Sequence, residues 1–294
     1  MEGLAVEILE KISTFACTDG GRTGCSLSLT SRYIREATRS ARFHSISLVY
    51  PLSMTSDEQI KRFSSFFFAE RAALSERRVP RLRHLRIPWT PAAAILCETF
   101  ASELHSLVIL QSWPPSDHVD VSGTEFPLLQ ELTILGSGLE FGGVYPHPRL
   151  PSLTRLHIAA MPSKPSQQLG APDLRLWSAR APHVTHLRVS LVNDTKVVLL
   201  AQLANLVAPE LKGLPLIFPD LEQAVVQLPG TRTAIRTSAQ EWELLMAPFL
   251  QGSPATRPLV LHSQKSDNLQ TIRSDMERDW LERMAGGSGC WVEQ

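Results

Sequence analysis

The sequence lacks an excess of charge of either sign, because 29 Lys and Arg residues balance 29 Asp and Glu residues over 294 positions. A domain dedicated to nucleic-acid binding normally carries a strongly basic face, so a formal net charge of +0 argues against that class of protein. Hydrophobic residues make up 43% of the chain and charged residues 20%, which is unlike the composition of disordered proteins. We therefore expect a folded chain of one or two domains.

Long hydrophobic runs and an export signal are also missing. The longest apolar stretch, residues 197–208, is interrupted by Gln202 and Asn205 and is too short to cross a bilayer. Glu2 and Glu7 lie where a signal peptide would carry positive charge. The sequence thus predicts a protein without membrane association, in the cytoplasm or the nucleus.

Cysteines are few, and the motifs of common catalytic sites do not occur. The four cysteines, at positions 17, 25, 97 and 290, show no Cys-x-x-Cys spacing, which argues against a disulfide framework or a zinc site. The glycine-rich stretches 136–138 and 286–289 lack the spacing of phosphate loops and of nucleophile elbows. We therefore expect no enzymatic activity, and we assign no catalytic, cofactor-binding or metal-binding residues.

Proline, in contrast, is abundant, and part of it belongs to a recurring motif. The chain contains 21 prolines, about 7% of its residues against a usual level of about 5%. Five of them are the first residue of the pattern Pro-x-Leu-x-x-Leu-x-Ile/Val, which we call the leucine motif. Its copies, two of them incomplete, have their first Leu or Val at positions 82, 104, 129, 153, 184 and 221. The first three steps, of 22, 25 and 24 residues, fall within the period of leucine-rich repeats, and the last two, of 31 and 37, exceed it.

The spacing within the leucine motif predicts a short strand. The second Leu and the Ile or Val two places later point to one face of a strand, towards the core. A single repeat of this kind cannot bury its own apolar face, so the copies must stack. The sequence predicts an α/β fold, in which a curved leucine-rich-repeat solenoid carries a parallel sheet on its concave side. A conventional α/β domain is the alternative.

The leucine motif divides the chain into four parts. We expect an N-terminal helical segment over residues 1–48, a connecting helix over 49–78, irregular leucine-rich repeats over 79–262, and a C-terminal helical cap with a tail over 263–294. In the last part, Ile272, Met276, Trp280 and Met284 recur at four-residue steps, a stripe that predicts a helix covering the last repeat.

The N-terminal segment resembles a known family. Residues 4–12, LAVEILEKI, resemble the opening Leu-Pro-x-Glu-Ile-Leu-x-x-Ile of an F-box, and residues 27–37, LSLTSRYIREA, resemble its later half. Because leucine motifs follow this segment, the whole chain is similar to the F-box proteins with irregular leucine-rich repeats found in mushroom-forming fungi. Two positions depart from the pattern: Ala5 replaces the usual proline, and Ser13 stands where a large apolar residue would help to fill the interface.

The resemblance implies a function. An F-box docks on the adaptor subunit of a cullin-RING (SCF-type) E3 ubiquitin ligase, and the repeats hold a protein substrate for ubiquitin transfer. The residues implied to bind the adaptor are Leu4, Ala5, Glu7, Ile8, Leu9, Ile12, Leu27, Leu29, Ser31 and Ile34. Two alternatives remain open: a repeat scaffold with a degenerate F-box, which binds a partner independently of ubiquitin, and a helical cap that only shields the first repeat.

The strand residues beside the second Leu point away from the core and form a candidate substrate surface. The basic members of this set are His84, Arg86, Arg155, His157, His186 and Arg188. Arginine forks bind carboxylates and phosphates, so we expect an acidic or phosphorylated protein segment as the substrate. Ordinary solvated strand residues would give the same pattern by chance.

Overall fold

The computed structural model describes residues 5–49, 57–73, 79–111, 124–136, 149–160, 173–190, 217–228, 259–263 and 269–291. The fold is α/β with a parallel sheet, as predicted. The chain forms two compact units, one comprising Met1–Leu110 with Arg273–Gln294 and the other Gln111–Ile272. Within the described residues, no helix has both the length and the apolar character needed to cross a membrane.

The first unit begins with three short helices, α1 (Val6–Ala16), α2 (Arg22–Thr30) and α3 (Arg32–Ala37), followed by a 3-10 turn at Ala41–Phe43. The loop between α1 and α2 is shaped by two features. Gly21 precedes α2 with a φ of 99°, a left-handed conformation that favours glycine. The carboxylate of Asp19 accepts hydrogen bonds from the backbone N–H and the hydroxyl of Thr23. This gives a partner to one of the backbone N–H groups that the start of α2 leaves without one inside the helix.

The rest of the first unit alternates strands and helices: β1 (Ser45–Ser47), α4 (Asp57–Ala72), β2 (His84–Trp89), α5 (Pro91–Phe100) and β3 (Ser106–Gln111). The strands follow the order β1-β2-β3, and β1 runs parallel to β2. Helix α5 starts where the sequence favours it, since the hydroxyl of Thr90 accepts a hydrogen bond from Ala93 N–H and Pro91 is the first helical residue. Helix α4 lies within residues 49–78, the range in which the sequence predicts a connecting helix.

The second unit contains β4 (Glu131–Gly136), β5 (Arg155–Ala160), α6 (Leu174–Arg180), β6 (His186–Ser190), β7 (Gln223–Leu228) and β8 (Leu259–Ser263). These strands are parallel and follow chain order. The second apolar residues of four motif copies face one another across the strands: Leu132, Leu156, Leu187 and Ala224. These four copies of the leucine motif are therefore stacked in register.

The leucine motif forms the core, as its spacing predicts. Its three apolar positions are buried in all six copies. In three copies, the residue two places after proline donates its backbone N–H to the carbonyl of the residue three places before it: Leu129 to Phe126, Leu153 to Leu150 and Leu221 to Phe218. Proline therefore occupies the second position of a β-turn, where its fixed φ is favourable, and the turn leads the chain into the strand.

The C-terminal stripe of apolar residues forms helix α7 (Leu269–Met284), which is followed by a 3-10 turn at Gly289–Trp291. From Arg273 onward, α7 belongs to the first unit. Its Trp280 is fully buried, and the indole N–H donates to the hydroxyl of Ser106 in β3. The sequence predicted the helix but placed it over the last repeat, whereas these contacts bring it to the first strands.

Candidate functional site

Several large apolar side chains of the N-terminal helices are exposed to solvent. On α1, residues at spacing i, i+4 and i+7 share one side of the helix. We call the following set the helical apolar surface: Ile8, Ile12 and Phe15 of α1, with exposed fractions of 50%, 52% and 73%, and Leu29 of α2, with 81%. The three N-terminal helices pack against one another, so this set belongs to one helical assembly.

The structure separates the residues implied to bind the adaptor by their exposure. Ala5, Glu7, Ile8, Ile12, Leu29 and Ser31 are exposed, Leu27 and Ile34 are half-buried, Leu9 is buried, and Leu4 lies outside the described residues. The inclusion of Leu9 is therefore corrected: successive residues of a helix differ by about 100° in direction, so Leu9 points inward where Ile8 points outward. Phe15 was missing from the implied set, although its spacing from Ile8 and Ile12 indicated it.

The two departures from the F-box pattern have different structural settings. Ser13 is buried, and its hydroxyl donates to the carbonyl of Leu9 at 2.7 Å. Its side chain is therefore not among those that the helices present to solvent. Ala5 is exposed, with a φ of −60° that proline also adopts, and its carbonyl accepts from Ile8 and Leu9 N–H.

The helical segment is fastened to α4 by charged and aromatic contacts. The carboxylate of Glu70 accepts a hydrogen bond from Arg39 Nε at 2.7 Å and pairs with Arg42. The ring of Phe43 packs edge-on against Phe67, with 4.8 Å between centroids. The segment therefore packs against the rest of the first unit, and these contacts hold its helical apolar surface in place.

In the first unit, helix α7 covers Arg86 on the side of the strands that faces away from the core. Arg86 of β2 is 1% exposed, and its Nη1 lies 3.2 Å from Oε2 of Glu277 in α7 and 3.2 Å from the hydroxyl of Ser47. Burial lowers the pKa of the Arg86 guanidinium, although the charge of Glu277 opposes that shift. The expectation of an open basic strip is wrong at Arg86, because α7 lies over it.

Three histidine rings follow one another at the beginning of the first strands. The ring centroids of His44 and His84 are 5.0 Å apart, and those of His84 and His105 are 6.4 Å apart. Burial is the main cause that lowers the pKa of His44 to about 4 and that of His84 to about 3, and the nearby charge of Arg83 adds to it. His84, one of the predicted substrate residues, is half-buried. Because its pKa is lowered, its ring is neutral at physiological pH.

In the second unit, His157 belongs to a buried hydrogen-bond network. Its Nε2 lies 2.9 Å from the hydroxyl of Ser190, and that hydroxyl donates to Oε1 of Gln227, which also accepts from Arg188 Nη2 at 2.8 Å. Because the Ser190 proton is given to Gln227, Nε2 of His157 acts as the donor to Ser190. This arrangement holds the side chains of His157, Ser190 and Gln227 in place.

The remaining predicted substrate residues retain some exposure. Arg155 is exposed, and His186 and Arg188 are half-buried, whereas His157 is buried, which corrects its assignment to an open surface. The register places Arg155 beside His186 and His157 beside Arg188. Burial, and then the neighbouring arginine, lower the pKa of both histidines. The accessible positive charge of this set therefore comes from its arginines.

The described part of the chain contains no cluster of three or more His, Cys, Asp or Glu residues able to hold a metal ion. No protein-family model, no curated protein and no solved structure matches the chain.

Proposed function

We propose that this protein is the substrate-recognition subunit of an SCF-type cullin-RING ubiquitin ligase. The helical apolar surface carries the proposal, because it presents large apolar side chains to solvent on helices that an F-box-like sequence forms. In this proposal the N-terminal helices bind the adaptor and, through it, the cullin. The repeats bind a protein substrate, and the protein works in the cytoplasm or the nucleus.

The exposure of these side chains favours docking on a partner. An apolar residue alone on a surface is common, but several large ones on one helical assembly are typical of a protein interface. Ile8, Ile12 and Phe15 form a stripe of the kind that fits a groove lined by apolar residues. The attachment through Glu70 and Phe43 holds this stripe in place before binding, which lowers the entropy cost of association.

The repeats support the second half of the proposal. In-register parallel strands in chain order, three of them preceded by a proline turn, are the arrangement that the period of the leucine motif predicts. We assign this part of the chain to an irregular leucine-rich-repeat solenoid. Such stacks offer an extended face to a partner, and the exposed Arg155 favours a substrate segment that is acidic or phosphorylated.

The adaptor contact is tested by capture of the purified adaptor on the full-length chain. An Ile12→Asp variant places a charge in the helical apolar surface, and we expect its affinity for the adaptor to fall by about 30-fold or more, the effect of losing a hot spot worth about 2 kcal/mol. Ile95→Asp is the matched control, since Ile95 is an exposed isoleucine on α5, outside this surface. Its affinity should equal that of the wild type.

Two results would count against the proposal. If the wild-type chain captures no adaptor, the repeat scaffold with a degenerate F-box becomes the better interpretation. If Ile12→Asp and Ile95→Asp weaken capture equally, the contact does not use the helical apolar surface.

A further inference from the structure

Helix α7 contacts the strands of the first unit through a carboxylate and an indole on one side of the helix. Glu277 pairs with Arg86 of β2, and Trp280, three residues later, donates to Ser106 of β3. Residues three apart in a helix lie on the same side. The side of β2 and β3 that faces away from the core thus holds a helical segment by one acidic and one aromatic residue.

The contact between Arg86 and Glu277 uses only part of what the guanidinium offers. Among the described residues, Nη1 of Arg86 makes two contacts at 3.2 Å, and the buried Nε has no hydrogen-bond partner. A carboxylate that bound the fork with two bonds would come to about 2.7–2.9 Å. Glu277 is itself 36% exposed. The buried arginine therefore has capacity for a better carboxylate partner than α7 supplies.

The indole of Trp280 lies in a space that the glycine at position 20 leaves open. A side chain at Gly20 would lie 3.0 Å from Cβ of Ser47 and 3.5 Å from the ring of Trp280, so glycine leaves room for both. The hydrogen bond from the indole to Ser106 is long, at 3.4 Å. Trp280 is therefore held mainly by burial, which any large aromatic residue of a partner can reproduce.

We propose that this face of β1–β3 is a receptor site for an acidic helical segment of a partner, and that α7 is its internal occupant. The partner's helix carries a carboxylate three residues before an aromatic residue and displaces Glu277 and Trp280. The identity of this partner as a ligase substrate rests on the proposed function, whereas the binding site itself does not.

The test measures binding of a fluorescent peptide with the sequence of residues 269–284 to the full-length chain. In a Glu277→Gln chain the internal helix loses its ion pairs with Arg86 and, at 4.0 Å, with Arg22. We expect the peptide to bind at least about tenfold more tightly to this chain than to the wild type, because the weakened internal helix competes less for the site. Glu282→Gln is the matched control, since Glu282 is an exposed residue of the same helix. A peptide that itself carries Glu277→Gln should bind less tightly.

Hydrogen exchange of the wild-type chain provides a second measurement that needs no variant. We expect the amides of α7 to exchange through a local opening, faster than those of β2 and β3. The proposal is overturned if α7 exchanges only together with these strands, or if a folded Glu277→Gln chain binds the peptide no better than the Glu282→Gln chain. Neither result depends on adaptor capture, so the failure of this proposal is distinct from failure of the ligase assignment.

Discussion

Ser13 illustrates how the direction of one side chain decides its role. The F-box pattern places a large apolar residue at this position, but here the side chain is buried within the helical segment and its hydroxyl returns to the carbonyl of Leu9. A small residue that bonds to its own helix fits a tightly packed interior. The adaptor contact, in the proposed function, therefore depends on the neighbouring outward positions.

We predict that Ser13→Phe lowers the free energy of unfolding by about 1–3 kcal/mol, because the larger ring overfills a packed interior. Urea denaturation followed by circular dichroism measures the change. The control is Ile12→Phe, at an exposed position of the same helix, which should alter stability by less than about 0.5 kcal/mol. Equal stability of the Ser13→Phe chain and the wild type would show that the site is more open than its burial indicates.

At the scale of elements, the repeating unit is a proline turn followed by a strand. The turn satisfies a backbone hydrogen bond before the strand begins, and the strand then pairs with its neighbour along its whole length. Leu156 lies at the centre of this arrangement, opposite Leu132 on one side and Leu187 on the other, and all three side chains are buried. The stability of each strand is therefore tied to the strands beside it.

Leu156→Ala should lower the free energy of unfolding by about 2–5 kcal/mol, through lost apolar burial and the cavity left behind. The matched control is Leu128→Ala, a leucine in the turn before β4 whose side chain is exposed; its loss should cost less than about 0.5 kcal/mol. Both values come from urea denaturation of the full-length chain. A cost at Leu156 as small as that at Leu128 would contradict the stacked arrangement of the leucine motifs.

At the scale of the whole molecule, the stability of the fold depends on pH because two histidine rings are buried. The net charge is formally +0 and the isoelectric point is about 7.1. Burial keeps His44 and His84 neutral in the folded chain, so their protonation is coupled to unfolding. Protonated rings here would also face the positive charges of Arg83 and Arg283 and the neighbouring His105.

We predict that stability falls as pH decreases below about 6.5, the ordinary pKa of histidine, and continues to fall towards the folded values of about 4 for His44 and about 3 for His84. In this window the unfolded chain binds protons at these histidines and the folded chain does not. The free energy of unfolding therefore falls by up to about 1.4 kcal/mol per pH unit for each ring. Above pH 6.5 this stabilisation is fully present. Urea midpoints at pH 7.5, 5.5 and 4.5 measure it.

His84→Gln removes one of these rings, so its urea midpoint should change less between pH 7.5 and 4.5 than that of the wild type. Acidic groups contribute equally to both chains, and the difference between them isolates the histidine. Parallel pH profiles would mean that His84 takes up its proton without unfolding.

The local patterns predicted much of the architecture. The spacing of Leu132, Ile134 and their equivalents predicted buried strand positions, because alternation along a strand is a local property of the backbone. The apolar stripe of Met276 and Trp280 likewise predicted a helix. Strands β1 and β8 and helix α6 were not predicted, since they lie outside the leucine motif; β1 and β8 pair with the neighbouring strands β2 and β7.

The candidate sites were predicted less completely than the fold. The sequence by itself determined which residues alternate, where turns begin and which helices are amphipathic, because these depend on neighbours along the chain. Only the tertiary structure decided that Arg86 and His157 are buried, that Leu9 faces inward, and that α7 lies over the first strands. Those outcomes depend on contacts between residues far apart in the chain, such as Arg86 with Glu277, which no local pattern encodes.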